Sequence, residues 1–226
     1  NDQYLIYIHK AMFCLATFLY LYDKKKIMKV YIIYGKTSSS QNHWYTWLEG
    51  KIIENGAECT QIALPSPENP DYLQCKQTLI QHQIQCDQGS IFIAHEFGAL
   101  STLDLLSTHL QQGQQVKALF LISAFHKKLT AKPEYNQFIQ HIQIVDEILR
   151  RNIEQRFLFL SNNDLNIPAP VSIELGHLLN AQMFEVKQAG QFRVQDGFKE
   201  FPQLWEKVKV LLKPARASFV QASSLF

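Results

Sequence analysis

Apolar positions follow two alternating patterns between residues 28 and 212. Short continuous runs rich in β-branched and aromatic residues predict buried parallel strands at residues 29–34, 58–64, 90–95, 116–123, 156–161 and 181–187. Between these runs, apolar residues at helical spacing predict helices at residues 42–54, 72–85, 97–113, near 169–180 and near 196–212. Asp71 is the predicted N-cap of the second helix.

Regular alternation of strands and helices predicts an α/β fold. We expect a three-layer α/β/α sandwich with a mostly parallel, doubly wound sheet. In such sheets, ligands bind beyond the carboxyl ends of the strands, so residues of functional interest should follow those ends. The less regular stretch at residues 124–153 is expected to cover that edge. The loops that follow the carboxyl ends of the predicted strands begin at Gly35, His95, Ser123, Ser161 and Gln188.

Length and composition favour one domain with appendages. The 226 residues are 46% hydrophobic, enough for one sizeable core. The formal net charge is +2, with Lys and Arg scattered, which favours neither nucleic acid nor an anionic membrane as a partner. We expect residues 28–212 to form the domain, residues 1–27 an apolar extension outside it, and residues 213–226 a loosely held tail.

The N-terminal extension allows more than one interpretation. Residues 4–22 are almost continuously apolar and approach the length of a membrane helix, but His9 and Lys10 interrupt them. The run "MKVYIIYG" from Met28 is typical of a protein start that leads into a first strand. We interpret residues 1–27 as an upstream or accessory segment without function. The alternative is a membrane anchor that leaves the domain in the cytosol, because lysines follow it.

The cysteine pattern favours a reduced, cytoplasmic protein. Cys14, Cys59, Cys75 and Cys86 form no CxxC pair, and no histidine lies at ligand spacing from them. A zinc site is therefore not expected, and a disulfide framework is unnecessary in a domain of this size. We predict neither a metal nor a cofactor.

The stretch "IFIAHEFGAL" (91–100) has the pattern of a nucleophile elbow. An apolar strand leads through Ala94 to Glu96, and Gly98 opens a helix. In that turn, small flanking residues let the central side chain project above the sheet, and the next backbone N–H helps to form an oxyanion hole. Here the central residue is Glu96, and Phe97 would supply the N–H.

Two later segments fit the same chemistry. "SNNDLNIP" (161–168) follows a predicted strand and carries Asp164, where hydrolases often have the acid of a catalytic triad. "VKQAGQFRVQDGF" (186–198) follows the last strand, where a Gly-His-Phe pattern is usual. Gly190 and Phe192 are present, and Gln191 stands between them.

From about residue 28 to residue 212, the chain resembles the small serine hydrolases grouped with a retinoblastoma-binding protein and the bacterial YdeN proteins, within the α/β-hydrolase superfamily. The likeness rests on "VYIIYGKTSSSQNHWYTWLE", on "GAECTQIALPSPENPD" and on the three segments above, in the same order. It implies that Glu96, Asp164 and Gln191 occupy the positions of the Ser–Asp–His triad, with only Asp164 matching. Tyr34 stands where the family has a histidine. The pocket is expected to include Gly35 and Phe97 as oxyanion-hole backbone, and Tyr34, Lys36, His43 and His95.

These departures predict a degenerate serine hydrolase that binds a small ligand or a protein partner. A glutamine amide takes up no proton near neutral pH, so Gln191 cannot act as a general base. We expect the Glu96 carboxylate to accept hydrogen bonds from the N–H groups of its own helix, and the His95 side chain to turn away from it. The alternatives are an active hydrolase that uses Glu96 or a substitute base, and a folded protein with no retained role. His43, His126 and His177 are not expected to reach the pocket as bases.

Overall fold

Six parallel strands form one sheet in the order β2-β1-β3-β4-β5-β6. The computed structural model describes residues 27–35, 43–65 and 68–212. The strands are β1 Lys29–Gly35, β2 Glu58–Leu64, β3 Ser90–His95, β4 Val116–Ile122, β5 Ile153–Ser161 and β6 Gln182–Val186. The helices are α1 Trp44–Glu54, α2 Tyr72–Gln81, α3 Phe97–His109, α4 Tyr135–Ile139, α5 Asp146–Asn152, α6 Ala169–Leu178 and α7 Pro202–Leu212.

Alternate strand residues face two separate apolar layers. Ile32 and Ile93 pack in the layer covered by α1 and α7, whereas Ile33 and Ala94 pack in the layer covered by α2, α3, α5 and α6. Both layers are closed to solvent, as expected for parallel strands that are apolar along their length. The predicted three-layer α/β/α sandwich with a parallel sheet is confirmed.

Several predicted boundaries differ from those of the structure. Helix α2 ends at Gln81, four residues before the predicted end, and Gln83 has a positive φ of 48° that a helix does not allow. Helix α7 begins at Pro202 instead of near residue 196, because Pro fits the first turn of a helix. The irregular stretch 124–153 contains α4 and α5. The predicted cap is confirmed, since the Asp71 carboxylate accepts a hydrogen bond from the Gln74 N–H (2.8 Å).

The order of strands reverses between β1 and β3, and this reversal positions the turn at Glu96. β2 lies on one side of β1 and β3 lies on the other, so a crevice opens beyond the carboxyl ends of β1 and β3. Helix α3 starts close against β1. A Cβ at Gly98 would lie 2.8 Å from Tyr34 Cα and 2.7 Å from the Ile33 carbonyl carbon, so this approach requires glycine.

Residues Met28–Leu212 form one compact unit. The predicted extension and tail fall, apart from Ile27, on residues 1–26 and 213–226, which lie outside the described residues, as does Lys36. Within the ranges that are described, no helix has the length and apolar character needed to cross a membrane.

Candidate functional site

Glu96 occupies a strained turn between β3 and α3. Its backbone dihedrals are φ 47° and ψ −116°, and its N–H donates to the carbonyl oxygen of Ile122 on β4 (2.9 Å). A non-glycine residue at positive φ costs free energy and is retained where the surrounding structure enforces it. The turn therefore has the geometry of a nucleophile elbow, with a carboxylate side chain at its centre.

The Glu96 carboxylate is held by Arg193. The Arg193 Nε donates to Glu96 Oε1 (2.7 Å), and Nη2 donates to Oε2. The side chain of Glu96 is 13% exposed and that of Arg193 is 22% exposed, so the ion pair is largely withdrawn from water. The expectation that Glu96 would bond the N–H groups of its own helix is wrong, because its side chain makes no capping hydrogen bond to α3. A two-point, charge-assisted contact with a guanidinium is the stronger alternative.

Arg193 reaches Glu96 from the loop between β6 and α7, and a single carboxylate organises that loop. Asp196 Oδ2 accepts hydrogen bonds from the N–H of Gln191 (3.0 Å) and of Arg193 (3.1 Å). Gly190 has φ 52°, and a Cβ there would lie 2.5 Å from Asp196 Cγ. Arg193 was not among the residues that the sequence pattern singled out. The signal that could have found it is a cation two residues beyond Gln191, in the loop that faces a carboxylate expected to be partly buried.

His95 is buried beside Glu96 with both ring nitrogens engaged. Its Nε2 lies 2.7 Å from the Gln191 carbonyl oxygen, which can only accept, so Nε2 carries the proton. Nδ1 then accepts from the Tyr45 hydroxyl (2.5 Å). Burial lowers the pKa of His95 to about 3, and the positive charge of Arg193 acts in the same direction, so the ring is neutral.

The expectation that His95 turns away from Glu96 is wrong. His95 Nε2 lies 3.8 Å from Glu96 Oε1. His95 ends β3 on the face covered by α1 and α7, and Arg193 draws the Glu96 carboxylate toward that same face because its loop leads into α7. The protonated His95 nitrogen, not its lone pair, lies closest to the carboxylate.

His43, one of the residues predicted for the pocket, also lies at the site. Its Nδ1 accepts from the Val194 N–H (2.9 Å), which leaves the proton of the neutral ring on Nε2. Burial lowers the pKa of His43 to about 4. His43 reaches this position because it directly precedes α1, at the crevice beyond β1.

Asp164 and Gln191 have separate partners. Asp164 Oδ1 accepts from the N–H groups of Asn166 and Ile167 (both 2.9 Å), and Oδ2 accepts from the Ser123 hydroxyl. Burial raises the pKa of Asp164, although these hydrogen bonds oppose the rise. The Gln191 side-chain oxygen accepts from the Asn166 amide (2.7 Å). The three residues predicted to stand at triad positions therefore have separate side-chain partners: Arg193 for Glu96, Ser123 for Asp164 and Asn166 for Gln191.

A cavity of about 200 Å³ opens above the turn. It brings together five of the predicted residues: Gly35, His43, His95, Glu96 and Phe97. Tyr34, Asp164 and Gln191 are not among its lining residues; Tyr34 stacks on Tyr45 at 4.0 Å and donates its hydroxyl proton to Gln61 (3.1 Å). The lining residues that were not predicted are Tyr45, Glu68, Lys132, Glu134, Tyr135 and Arg193.

The site offers no cluster of metal ligands. Among the described residues, no three His, Cys, Asp or Glu side chains are grouped so that they could hold a metal ion. The polar groups that line the cavity are the Glu96–Arg193 ion pair, two neutral imidazoles, two tyrosines and the charged side chains of Glu68, Lys132 and Glu134.

A parallel sheet whose third strand enters a helix through a strained turn at the switch in strand order defines the small α/β-hydrolase fold. The chain belongs to the serine hydrolase family, whose model matches residues 30–210. YdeN of Bacillus subtilis (strain 168) is 28% identical over 182 residues, which span 79% of this chain and 93% of YdeN. The serine hydrolase RBBP9 of Rattus norvegicus is 26% identical over 178 residues, 76% of this chain and 88% of RBBP9. The predicted resemblance is confirmed.

Solved structures agree with the fold. The crystal structure of the B. subtilis ydeN gene product matches with a TM-score of 0.73 at 24% identity, over 81% of this chain and 98% of that protein. The ferulic acid-bound structure of Est1E from Butyrivibrio proteoclasticus matches with a TM-score of 0.60 at 14% identity, over 83% of this chain and 88% of Est1E. At these identities the likeness concerns the fold alone.

Proposed function

We propose that this member of the serine hydrolase family hydrolyses neither esters nor amides, and that it uses the cavity above the elbow to bind a small ligand or a protein partner in the cytoplasm. The observation that carries the proposal is the ion pair between Glu96 and Arg193. A guanidinium that engages both carboxylate oxygens lowers their nucleophilicity.

A general base is also lacking at the expected place. Gln191 cannot take up a proton, and its side chain bonds Asn166. His95, the imidazole next to Glu96, presents a protonated nitrogen to it and gives its lone pair to the Tyr45 hydroxyl. A carboxylate can attack without a base, but hydrolysis of the ester that it would form requires a base to activate water, and among the described residues neither Gln191 nor the lone pair of His95 is placed to do so.

Hydrolysis of short p-nitrophenyl esters tests the proposal. We expect the wild type, Glu96→Gln and the control Glu68→Gln, which changes another glutamate of the cavity, to match buffer. The double variant Glu96→Ser/Gln191→His should gain turnover, since it restores a nucleophile and a base on a retained scaffold. Turnover by the wild type that Glu96→Gln abolishes and Glu68→Gln retains would establish the alternative, a hydrolase with Glu96 as its catalytic carboxylate.

Ligand binding is tested separately by thermal shift against a library of small polar molecules. A ligand of the cavity should raise the melting temperature of the wild type and should lose this effect in Tyr135→Trp, which narrows the cavity. A library without any hit that depends on Tyr135 would argue against a retained small-ligand role.

A further inference from the structure

Two buried side chains that line the cavity above the elbow have a polar atom without a partner among the described residues. His43 and Tyr135 are each only 5% exposed. Because His43 Nδ1 accepts from the Val194 N–H, the free atoms are His43 Nε2, which carries the proton, and the Tyr135 hydroxyl. Within the same part of the chain, the unpartnered side-chain atoms that are closed to solvent are Ser101 Oγ and His126 Nδ1. The two free atoms are therefore open to solvent, and the cavity is the opening that both residues line.

The two free atoms reach the cavity from different elements. His43 directly precedes α1, whereas Tyr135 is the first residue of α4. Burial raises the pKa of Tyr135, and the negative charges of Glu96 and Glu134 raise it further, as expected for a hydroxyl that faces the carboxylates of the cavity. A ligand would therefore meet one donor, the His43 Nε2–H, and one hydroxyl that can donate or accept.

The charged side chains of the cavity nearly cancel. Glu96 is paired with Arg193, and Lys132 Nζ lies 3.4 Å from Glu134 Oε1. Glu68 adds one negative charge. An anion would add to this excess of negative charge, whereas a cation would lie beside two cationic side chains and could not accept a hydrogen bond from the imidazole. These charges favour an uncharged ligand.

We infer that the cavity binds a small carboxamide, whose carbonyl oxygen accepts from the His43 Nε2–H and whose N–H donates to the Tyr135 hydroxyl oxygen. A carboxamide is uncharged and has both an acceptor and donors. An engineered protein cavity of about 150 Å³ binds benzene. The cavity above the elbow, of about 200 Å³, therefore has room for one ring with a carboxamide group. This inference rests on the proposed function, because the ligand is held and not hydrolysed.

Benzamide, benzoate and benzamidinium are matched probes, because they share one shape and are uncharged, anionic and cationic at neutral pH. Each is titrated into the isotopically labelled full-length protein, and dissociation constants are taken from the shifts of the Phe97 and Val194 backbone N–H groups. We expect benzamide to give saturable shifts and to bind about tenfold more tightly than either charged probe.

Two variants test the contacts with benzamide. His43→Asn keeps an acceptor for the Val194 N–H and removes the donor, whereas Tyr135→Phe keeps the ring and removes only the hydroxyl. Each should weaken benzamide about fivefold to tenfold, and Tyr135→Phe decides the question if His43→Asn does not fold. The control Tyr31→Phe removes a hydroxyl that accepts from the Gln85 N–H (3.0 Å) outside this cavity, and it should bind benzamide like the wild type.

Three results would overturn the inference: no saturable shift with benzamide, equal affinity for benzamide and either charged probe, or an affinity for benzamide that is unchanged in either folded variant. These results leave the p-nitrophenyl ester assay untouched, so the proposed loss of hydrolysis is judged separately. Conversion of bound benzamide and water to benzoate and ammonia would instead overturn the proposed function.

Discussion

Arg193 donates two hydrogen bonds to the carboxylate of Glu96 from a loop 97 residues further along the chain. Glu96 lies at the strained turn after β3, and Arg193 lies in the loop that connects β6 to α7. In an α/β hydrolase these two segments bring nucleophile and base together. Here the same two segments meet through the ion pair between Glu96 and Arg193.

Removing Arg193 should destabilise the protein. Arg193→Ala leaves the Glu96 carboxylate largely buried without its cation, and we expect a loss of about 2 to 3 kcal/mol, because both side chains retain some exposure. Urea unfolding measures this. The control Lys117→Ala breaks an exposed pair with Glu154 (2.8 Å) and should cost less than about 1 kcal/mol. Equal losses in the two variants would mean that the Glu96–Arg193 pair behaves as a surface contact.

Substitution by alanine should have opposite effects at two glycines, because Gly98 lies close against β1 whereas Gly50 faces open space. Gly98→Ala places a methyl group against the backbone of β1, and we expect a loss of about 1 to 3 kcal/mol from overpacking. Gly50 lies inside α1, and no atom lies within 4 Å of the place that an added methyl group would take, so Gly50→Ala should stabilise by about 0.5 to 1 kcal/mol. The free energies of unfolding of both variants decide this, and a stabilised Gly98→Ala would contradict the close contact.

Asp164 should act as an anchor of its own loop. Asp164→Ala leaves the N–H groups of Asn166 and Ile167 without their acceptor, and we expect a loss of about 2 to 3 kcal/mol. Asp164→Asn keeps a carbonyl oxygen there and should lose less than half as much. Asp146→Ala, which removes an exposed carboxylate, is the control and should cost under about 1 kcal/mol. If Asp164→Asn and Asp164→Ala were equally destabilised, loss of the oxygen that accepts from Asn166 and Ile167 would not explain the destabilisation.

The strands, the helices and the turn could be predicted from the sequence because each depends on neighbours along the chain. Apolar runs mark buried strands wherever they pair, and "AHEFG" between an apolar strand and a helical pattern is enough to indicate the elbow. The boundaries were less accurate, since the end of α2 depends on the positive φ of Gln83 and not on periodicity.

The partners of the site residues could not be predicted in the same way. Local patterns show that Glu96 stands at a helix N-terminus, which made the N–H groups of α3 the expected partners. Local patterns do not show that the guanidinium of Arg193 contacts Glu96 from another loop. Nor do they show that the Tyr45 hydroxyl of α1 donates a hydrogen bond to His95 Nδ1. Both contacts are set by tertiary packing, where a charge-assisted pair outweighs a local cap.

The two buried histidines predict a defined loss of stability in weak acid. The pKa values of His95 and His43 fall from 6.5 to about 3 and about 4 in the folded protein. Between pH 6.5 and pH 4 the unfolded chain therefore binds protons that the folded protein does not. Their contribution is complete above pH 6.5 and is lost as the pH falls, by up to about 1.4 kcal/mol per pH unit for each histidine.

Urea unfolding from pH 7 to pH 4.5 measures this dependence. His43→Asn keeps an acceptor for the Val194 N–H, and His95→Asn removes the second imidazole. Each variant should be less stable at pH 7 but should lose stability less steeply on acidification, and the double variant should lose both slopes. All variants have the same carboxylates, so comparing their slopes of unfolding free energy against pH removes the effect of carboxylate protonation. A double variant with the slope of the wild type would show that neither imidazole is held neutral by the fold.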